Sequence, residues 1–497
     1  MKRTNLDELL RRAAGDRQPD RNTMFRPHML RDLIKDPYKL WCDWNAPREQ
    51  AVEEPVSRYD QLKMQRGIEF ANEWIRKHCP GALRIEPEFG EEALINTLRA
   101  MQEGVPAIQE PQLWLLDEEV YGKGDLIVRS DDTPSDLGNF HYKLKELKSN
   151  RNAENHHVAQ AGLYNKILGR IQGYLPPTFS VVLRTSEEIV LHSSVDARLN
   201  ELLNLWRGIR DGNVQLEPAG LDKTGSPWRQ FANRVLNERM DLTLLPGVGP
   251  AGRDRLRRIL GIESITDLYR FSLEELVKKL KVKRGSDIFY HAQAYQFNQP
   301  VLPAGHRVDL PAGKRNIFFD FETSDDTHPS EPPHVYLIGT WDAGKQEFAY
   351  FLAEGAKDET RIFKEFMDYI GDTEGCVLMH WANFEIAEMN RVGARHPEIA
   401  GILNTLTGMS IDLKNVIKRQ IYLPVHTYSI KAVAPFCGFN WQHEDVDAME
   451  SMVLYWDYLE TGDRSKIQRV IDYNRDDCLG MAHVYNELSG GARFRLV

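Results

Sequence analysis

Asp320 and Glu322 stand one residue apart at the end of the apolar, aromatic run Ile317-Phe318-Phe319, which is too short and too aromatic to make a comfortable helix. In a strand, residues i and i+2 project from the same face, so both carboxylates would leave the rim of a buried sheet together. Two unpaired negative charges there are costly without a cation, and oxygen ligands of this kind suit a divalent metal.

The residues that follow build a frame around this pair. Apolar alternation over 334–343 and 347–354 predicts two more strands, and the pattern at 358–370 predicts a helix. A further apolar run from Cys376 to Trp381 precedes a second helix opening at Phe384 and Glu385. Near the C-terminus, Ile467, Val470, Ile471, Asn474, Cys478, Met481 and Leu488 mark one mostly apolar stripe of a long helix. Tyr473 and Asp477 lie four apart along the edge of that stripe and share a face. Strand, strand, strand, helix, strand, helix is the order of a ribonuclease-H-like mixed sheet flanked by helices.

With these residues in order, Asp320-Phe321-Glu322, then His380 to Glu385, then Tyr473 to Asp477, the segment resembles the DEDD exonucleases of the Tyr-x-x-x-Asp subtype. The resemblance implies 3′-5′ exonuclease chemistry, with Asp320, Glu322 and Asp477 holding two Mg2+ or Mn2+ ions and Tyr473 orienting the attacking water. One position departs from the pattern: the second motif ends in Glu385 where such enzymes usually carry Asp. Asp412 is a further candidate carboxylate, with a surface group as the alternative, and Tyr428-Ser429-Ile430-Lys431 resembles the helix start that follows it in these enzymes.

A second constellation occupies the first 225 residues. Strands are predicted over 112–116, 124–128 and 141–148, with Asp125 opening the second and Glu146 and Lys148 two apart on the third. A helix predicted from about Asn155 carries Gln160 and Tyr164 one turn apart. Asp125, Glu146-x-Lys148 and Gln160-x-x-x-Tyr164 together resemble the PD-(D/E)XK nucleases, in their RecB-like branch. That resemblance implies a metal held by Asp125 and Glu146, with Lys148, Gln160 and Tyr164 completing the catalytic set and an acid from a preceding helix, Glu69 or Glu73, beside them. His156 and His157, adjacent in sequence, are expected to point apart and so to share no metal. Some RecB-like relatives carry an iron-sulfur cluster on four cysteines, but Cys42 and Cys79 are the only ones in this half, so no cluster is expected.

Between the two halves, Pro246-Gly247-Val248-Gly249-Pro250 reads as a tight turn opening a helix, whose free N–H groups favour a phosphate. The segment resembles a helix-hairpin-helix, with Gly247, Gly249, Arg253 and Arg257 as expected contacts to a nucleic-acid backbone. From 246 to 290 there are ten Lys and Arg against six Asp and Glu, net +4, within a chain of net charge -10. That local reversal of sign favours phosphate, although the whole chain is no general polyanion binder.

A length of 497 residues fits about three domains at ~150 residues each. The boundaries read as a PD-(D/E)XK domain over 1–225, a helical helix-hairpin-helix domain over 226–298, a linker over 299–313 and a ribonuclease-H-like exonuclease domain over 314–497. Five scattered cysteines without a Cys-x-x-Cys pair fit a reducing cytoplasm, and no apolar run is long enough to span a bilayer. The whole resembles the RecB-like nuclease group that joins these two nuclease folds. This implies a metal-dependent DNA nuclease working on single strands or duplex ends in repair, recombination or defence. RNA as substrate and a non-catalytic scaffold are the alternatives. With no complete Walker-type Gly-x-x-x-x-Gly-Lys-Ser/Thr loop in the chain, unwinding would need a separate helicase.

Overall fold

The computed structural model describes residues 4–20, 22–328, 331–443, 445–490 and 494–497. The chain divides into two units, Met1–Pro55 with Gln61–Ala232, and Val56–Asp60 with Asn233–Val497. Among the described residues, no helix is long and apolar enough to cross a membrane.

In the first unit the strands are β1 (Leu83–Arg84), β2 (Ala107–Gln109), β3 (Gln112–Leu115), β4 (Val120–Lys123), β5 (Leu126–Ser130), β6 (His141–Leu147), β7 (Thr178–Val182) and β8 (Glu187–Leu191). Six of them form one sheet in the order β1-β2-β5-β6-β7-β8, while β3 and β4 pair as a separate hairpin. Period-two alternation sorts the side chains of β6. Tyr142 and Leu144 enter the main core with Leu163, Ile167 and Ile171 of a helix spanning Asn155–Gln172, and Leu147 joins Ile75, Leu126 and Val182 on the opposite face. The helix Arg58–His78 (α1) supplies Phe70, Trp74 and Ile75 to that second face. The Asn155–Gln172 helix (α2) connects β6 to its parallel neighbour β7. Glu146 shares the α2 side of the sheet with Tyr142 and Leu144, which is what aims it at Gln160 and Tyr164.

The second unit opens with helices α3 (Pro250–Leu260), α4 (Leu273–Leu280) and α5 (Val282–Phe297). Gly285 lets α4 and α5 cross closely, because a Cβ there would meet the Leu276 backbone at 2.6 Å. Strand β9 (Val301–Leu302) follows, then β10 (Arg315–Thr323), β11 (Val335–Asp342), β12 (Glu347–Leu352), α6 (Glu359–Ile370), β13 (Cys376–His380), α7 (Phe384–Arg395), α8 (Ala400–Met409), β14 (Ser410–Asp412), α9 (Leu413–Gln420), α10 (Ile430–Phe436), α11 (Ala448–Thr461), α12 (Arg464–Ser489) and β15 (Arg495–Leu496). The main sheet runs β12-β11-β10-β13-β14, with β10 antiparallel to β11 and parallel to β13. This is the element order expected of a ribonuclease-H-like sheet.

Both faces of β10 are covered, as its near-continuous apolar run requires. Ile317, Phe319 and Phe321 pack with α6, α7 and α8 residues such as Phe366, Val392 and Leu403. Phe318 enters the opposite core with Cys478, Met481 and Leu488 of α12. Asp320 and Glu322 follow Phe318 on that second face, so the period of the strand aims both acids at α12. Helix α5 belongs to this same unit, with Tyr290 and Ala294 clustering with Val301 and Tyr422.

Candidate metal centres and nucleic-acid interface

Strand β10 and helix α12 bring the C-terminal acids together. Ligand oxygens of Asp320, Glu322 and Asp477 all lie within 4.8 Å of one another. Glu322 is 5% and Asp477 8% exposed, so the charges cannot be relaxed by water. Burial, then the nearby Asp477, pushes the Glu322 carboxyl up to about 8. Asp320 is held well above the usual carboxylate range by burial first and then by Asp477, Glu385 and Glu322. An all-oxygen cluster whose members resist ionising together is what a hard divalent cation would relieve, so these residues fit Mg2+ or Mn2+.

Several neighbours hold the acids in place. Asn474, one turn before Cys478 on α12, donates its side-chain N–H to Asp320 Oδ2 at 3.0 Å and Glu322 Oε1 at 3.4 Å. The Ser451 hydroxyl donates to Glu322 Oε2 at 3.0 Å. Asp477 Oδ1 accepts from the Trp441 indole at 2.7 Å and from Lys431 Nζ at 2.9 Å. The Lys431 ammonium also lies 4.1 Å from the Trp441 ring centroid and 4.7 Å from that of Tyr473. Tyr473 is buried against Asp477, and burial followed by that charge raises its phenol far above the normal range. It therefore stays protonated and able to donate.

Glu385, the departure from the expected pattern, is 2% exposed at the start of α7. Its Oε2 lies 3.1 Å from His380 Nδ1, and its carboxyl is hydrogen-bonded to Asp320. It therefore touches the acidic group through Asp320. Asp412 takes a different job, capping α9 by accepting from the Asn415 backbone N–H at 2.9 Å and from that of Ala382 at 3.2 Å. The adjacent acid Asp476 turns away from the cluster and accepts from the backbone N–H groups of Gln442 and His443 at 2.8 and 3.2 Å. Lys431 and Asn474 were visible in the sequence only as a helix-start residue and a stripe residue. Trp441 and Ser451 carried no local signal.

In the first unit, Lys148 Nζ lies 2.9 Å from Glu146 Oε1, while Glu146 Oε2 is buried without a hydrogen-bond partner. Burial, then the charge of Asp125, pushes Glu146 up to about 7. Asp125 sits in a bend just before β5 and not on the strand as expected, with its Oδ2 accepting from the Leu147 backbone N–H at 2.7 Å. Burial raises its carboxyl too, against the counter-effect of Lys148. Tyr164 is 3% exposed, hydrogen-bonds Gln160, and lies near enough to Glu146 and Asp125 for their charges to raise its phenol further after burial has done so. Gly122 makes room for that phenol, since a Cβ there would stand 2.8 Å from its oxygen. These five residues converge. Glu69 and Glu73 are both exposed on α1, and Glu69 accepts from Gln65 on its own helix at 2.8 Å.

At the expected phosphate-binding turn, Gly247 adopts φ +73°, a left-handed conformation that favours glycine, and Gly249 precedes Pro250 at the first turn of α3. Arg253 does not face outward. It is 4% exposed, and its guanidinium meets the buried Asp241 at 3.3 Å, because α3 packs that side against the 242–244 turn. Arg257 pairs with Glu263 at 2.8 Å. The cations that line the open groove beside Gly247 are instead Arg255, Lys281, Lys283 and Arg284, in a cavity of about 740 Å³.

Residues 317–489 match the family model of the RNase_H superfamily, and this part of the chain is RNase H-like. That fold is of nuclease type, and nucleases of this kind use Mg2+ or Mn2+ on nucleic acid. Among curated proteins, none matches the sequence significantly. Among solved structures, the chain is similar to the family B DNA polymerase from the hyperthermophilic archaeon Pyrobaculum calidifontis, with 14% identity and a TM-score of 0.28. That alignment covers 46% of this chain and 34% of the polymerase.

Proposed function

We propose that the chain is a metal-dependent DNA nuclease with two centres, of which the C-terminal one removes nucleotides from 3′ ends. The observation that carries this reading is the convergence of Asp320, Glu322 and Asp477 within 4.8 Å on a buried face. Paired divalent cations bound there would stabilise the attacking and leaving oxygens of an in-line displacement at phosphorus. Asp320, Glu322 and Asp477 hold the cations, and Glu385, bonded to Asp320, orients that ligand. The Tyr473 phenol, kept protonated, donates the hydrogen bond that orients the attacking water. Lys431, which donates to Asp477 at 2.9 Å, would be free to turn its ammonium to a substrate phosphate with that carboxylate given to a cation.

The second centre is a PD-(D/E)XK nuclease site within 1–225. Asp125 and Glu146 bind metal there, Lys148 stabilises developing charge on phosphate or water, and Gln160 and Tyr164 hold the set together. The helices of 226–298 grip the DNA backbone through the groove of Gly247, Arg255, Lys283 and Arg284. The setting this suits is repair, recombination or defence.

The test is degradation of 5′- and 3′-labelled single-stranded DNA, duplex DNA and RNA with Mg2+ or Mn2+. It compares the wild type with Asp125→Ala/Lys148→Ala and Asp320→Ala/Asp477→Ala. Loss of 3′-end trimming in the second double variant alone supports the assignment. A wild type that binds DNA and cuts nothing makes the chain a scaffold, and preference for RNA moves it to RNA processing.

A further inference from the structure

His156 and His157 are not splayed apart as adjacent residues were expected to be. They open α2 at its first turn, where long side chains 100° apart around the axis can still meet beyond the helix end. Their ring centroids lie 4.1 Å apart. Ligand atoms of Glu154, His156 and His157 all lie within 4.8 Å of one another. Both histidines are 7% exposed, yet His156 Nδ1 is buried with no hydrogen-bond partner, 3.6 Å from Glu154 Oε2. In a tetrahedral site with bonds of about 2.0–2.2 Å, ligand atoms stand about 3.3–3.6 Å apart. The spacing and the orphaned nitrogen therefore suit the same occupant.

We propose that Glu154, His156 and His157 form a binding site for a zinc-class divalent cation, distinct in its ligands from the two carboxylate clusters. Two imidazoles and one carboxylate are a donor set of borderline softness, which prefers Zn2+ or Co2+ to the Mg2+ or Mn2+ that all-oxygen sites take. The place of the cation on Glu154 is taken in this structure by Lys35, whose Nζ lies 2.5 Å from Oε2. That pair is half-exposed, and such pairs are worth little, so an ion can displace the lysine at small cost. Two further bonds compete, the 3.2 Å contact that His157 Nδ1 accepts from the Glu154 backbone N–H and the 3.5 Å bond that Glu154 Oε1 accepts from the Asn150 side-chain amide. A cation here would staple the start of α2, the helix that carries Gln160 and Tyr164.

The experiment is a Co2+ titration of the full chain followed by visible absorption, in the wild type and in Lys35→Gln, His156→Gln and His157→Gln, each checked for native circular dichroism. Four-coordinate Co2+ on imidazole absorbs intensely, whereas Co2+ on the carboxylate centres absorbs weakly, so the two populations separate. Expected are an intense band saturating at one equivalent and displaced by Zn2+, at least about 10-fold weaker binding in each histidine variant, and saturation at lower Co2+ in Lys35→Gln. The proposal is overturned by a wild type without the intense band, or by a band that persists in both histidine variants. Should the histidine variants misfold, an unchanged Co2+ affinity in the surface variant Lys35→Gln overturns it as well.

Discussion

Gly339 sits on β11 directly opposite Asp320, beneath α12. A Cβ at this position would stand 1.6 Å from Asn474 Oδ1 and 2.8 Å from its Cγ, where ordinary contacts begin at 3.4 Å, so Asn474 must retreat by about 1.8 Å. Asn474 is fully buried and has nowhere to go without dropping its bonds to Asp320 and Glu322. Overpacking costs about 1–3 kcal/mol, and losing a hydrogen bond to a carboxyl that burial keeps protonated about 0.5–1.5 kcal/mol. Gly339→Ala should therefore destabilise the second unit by about 1.5–4.5 kcal/mol. Asn474→Ala alone removes the bonds without the clash, and Gly339→Ala added to it should then cost almost nothing. That is a coupling of about 1.5–4.5 kcal/mol in the double-mutant cycle, the whole cost of Gly339→Ala. Urea denaturation of the full chain, resolving the transition of this unit, reads the energies, and Mn2+ binding by electron paramagnetic resonance reads the acids. A Gly339→Ala variant with wild-type stability and wild-type Mn2+ affinity would refute the reasoning. Strict additivity of the two substitutions would refute the claimed contact.

The raised carboxyl of Glu322 makes the metal-free protein lose stability as pH rises from 4.5 to about 8, since the unfolded chain releases this proton over that window while the folded state keeps it, and cation affinity climbs over the same window. Calorimetric titration in buffers of different ionisation enthalpy should show protons released on Mn2+ binding at pH 7. Arg253→Ala should destabilise by about 3–5 kcal/mol by leaving Asp241 buried and unpaired, measured by thermal unfolding. Arg284→Ala should leave stability nearly unchanged and flatten the salt dependence of DNA binding by about one unit of slope, measured by fluorescence anisotropy. Gly285→Ala should cost at least about 1–3 kcal/mol in the same unfolding experiment, because its Cβ meets helix backbone that cannot turn aside.

What could be read ahead of the structure was what depends on period. The two-residue repeat of β10 and the four-residue step of α12 put Asp320, Glu322, Tyr473 and Asp477 on facing surfaces, and the same logic aligned Glu146 with Gln160 and Tyr164. Contacts closed over long sequence separations were not legible. Trp441 and Lys431 reach Asp477 from loops and a short helix, and Ser451 reaches Glu322 from α11. The helix-hairpin-helix resemblance put Arg253 at the phosphate groove, but a sequence motif cannot tell a solvated arginine from one turned onto Asp241. Helical angle separated His156 from His157, but it ignores the reach of side chains at an open helix end. Asp412 had the composition of a ligand and the position of a cap.

The central claim is that Asp320, Glu322 and Asp477 are held together to bind divalent cations at which DNA is cut. Anomalous diffraction from crystals grown with Mn2+ and a short 3′-ended DNA strand tests it most directly. The account predicts two manganese peaks among these three carboxylates, the terminal phosphodiester beside them, and Lys431 Nζ moved from its 2.9 Å contact with Asp477. Ordered DNA elsewhere, with no manganese between the acids and Lys431 still on Asp477, would contradict it.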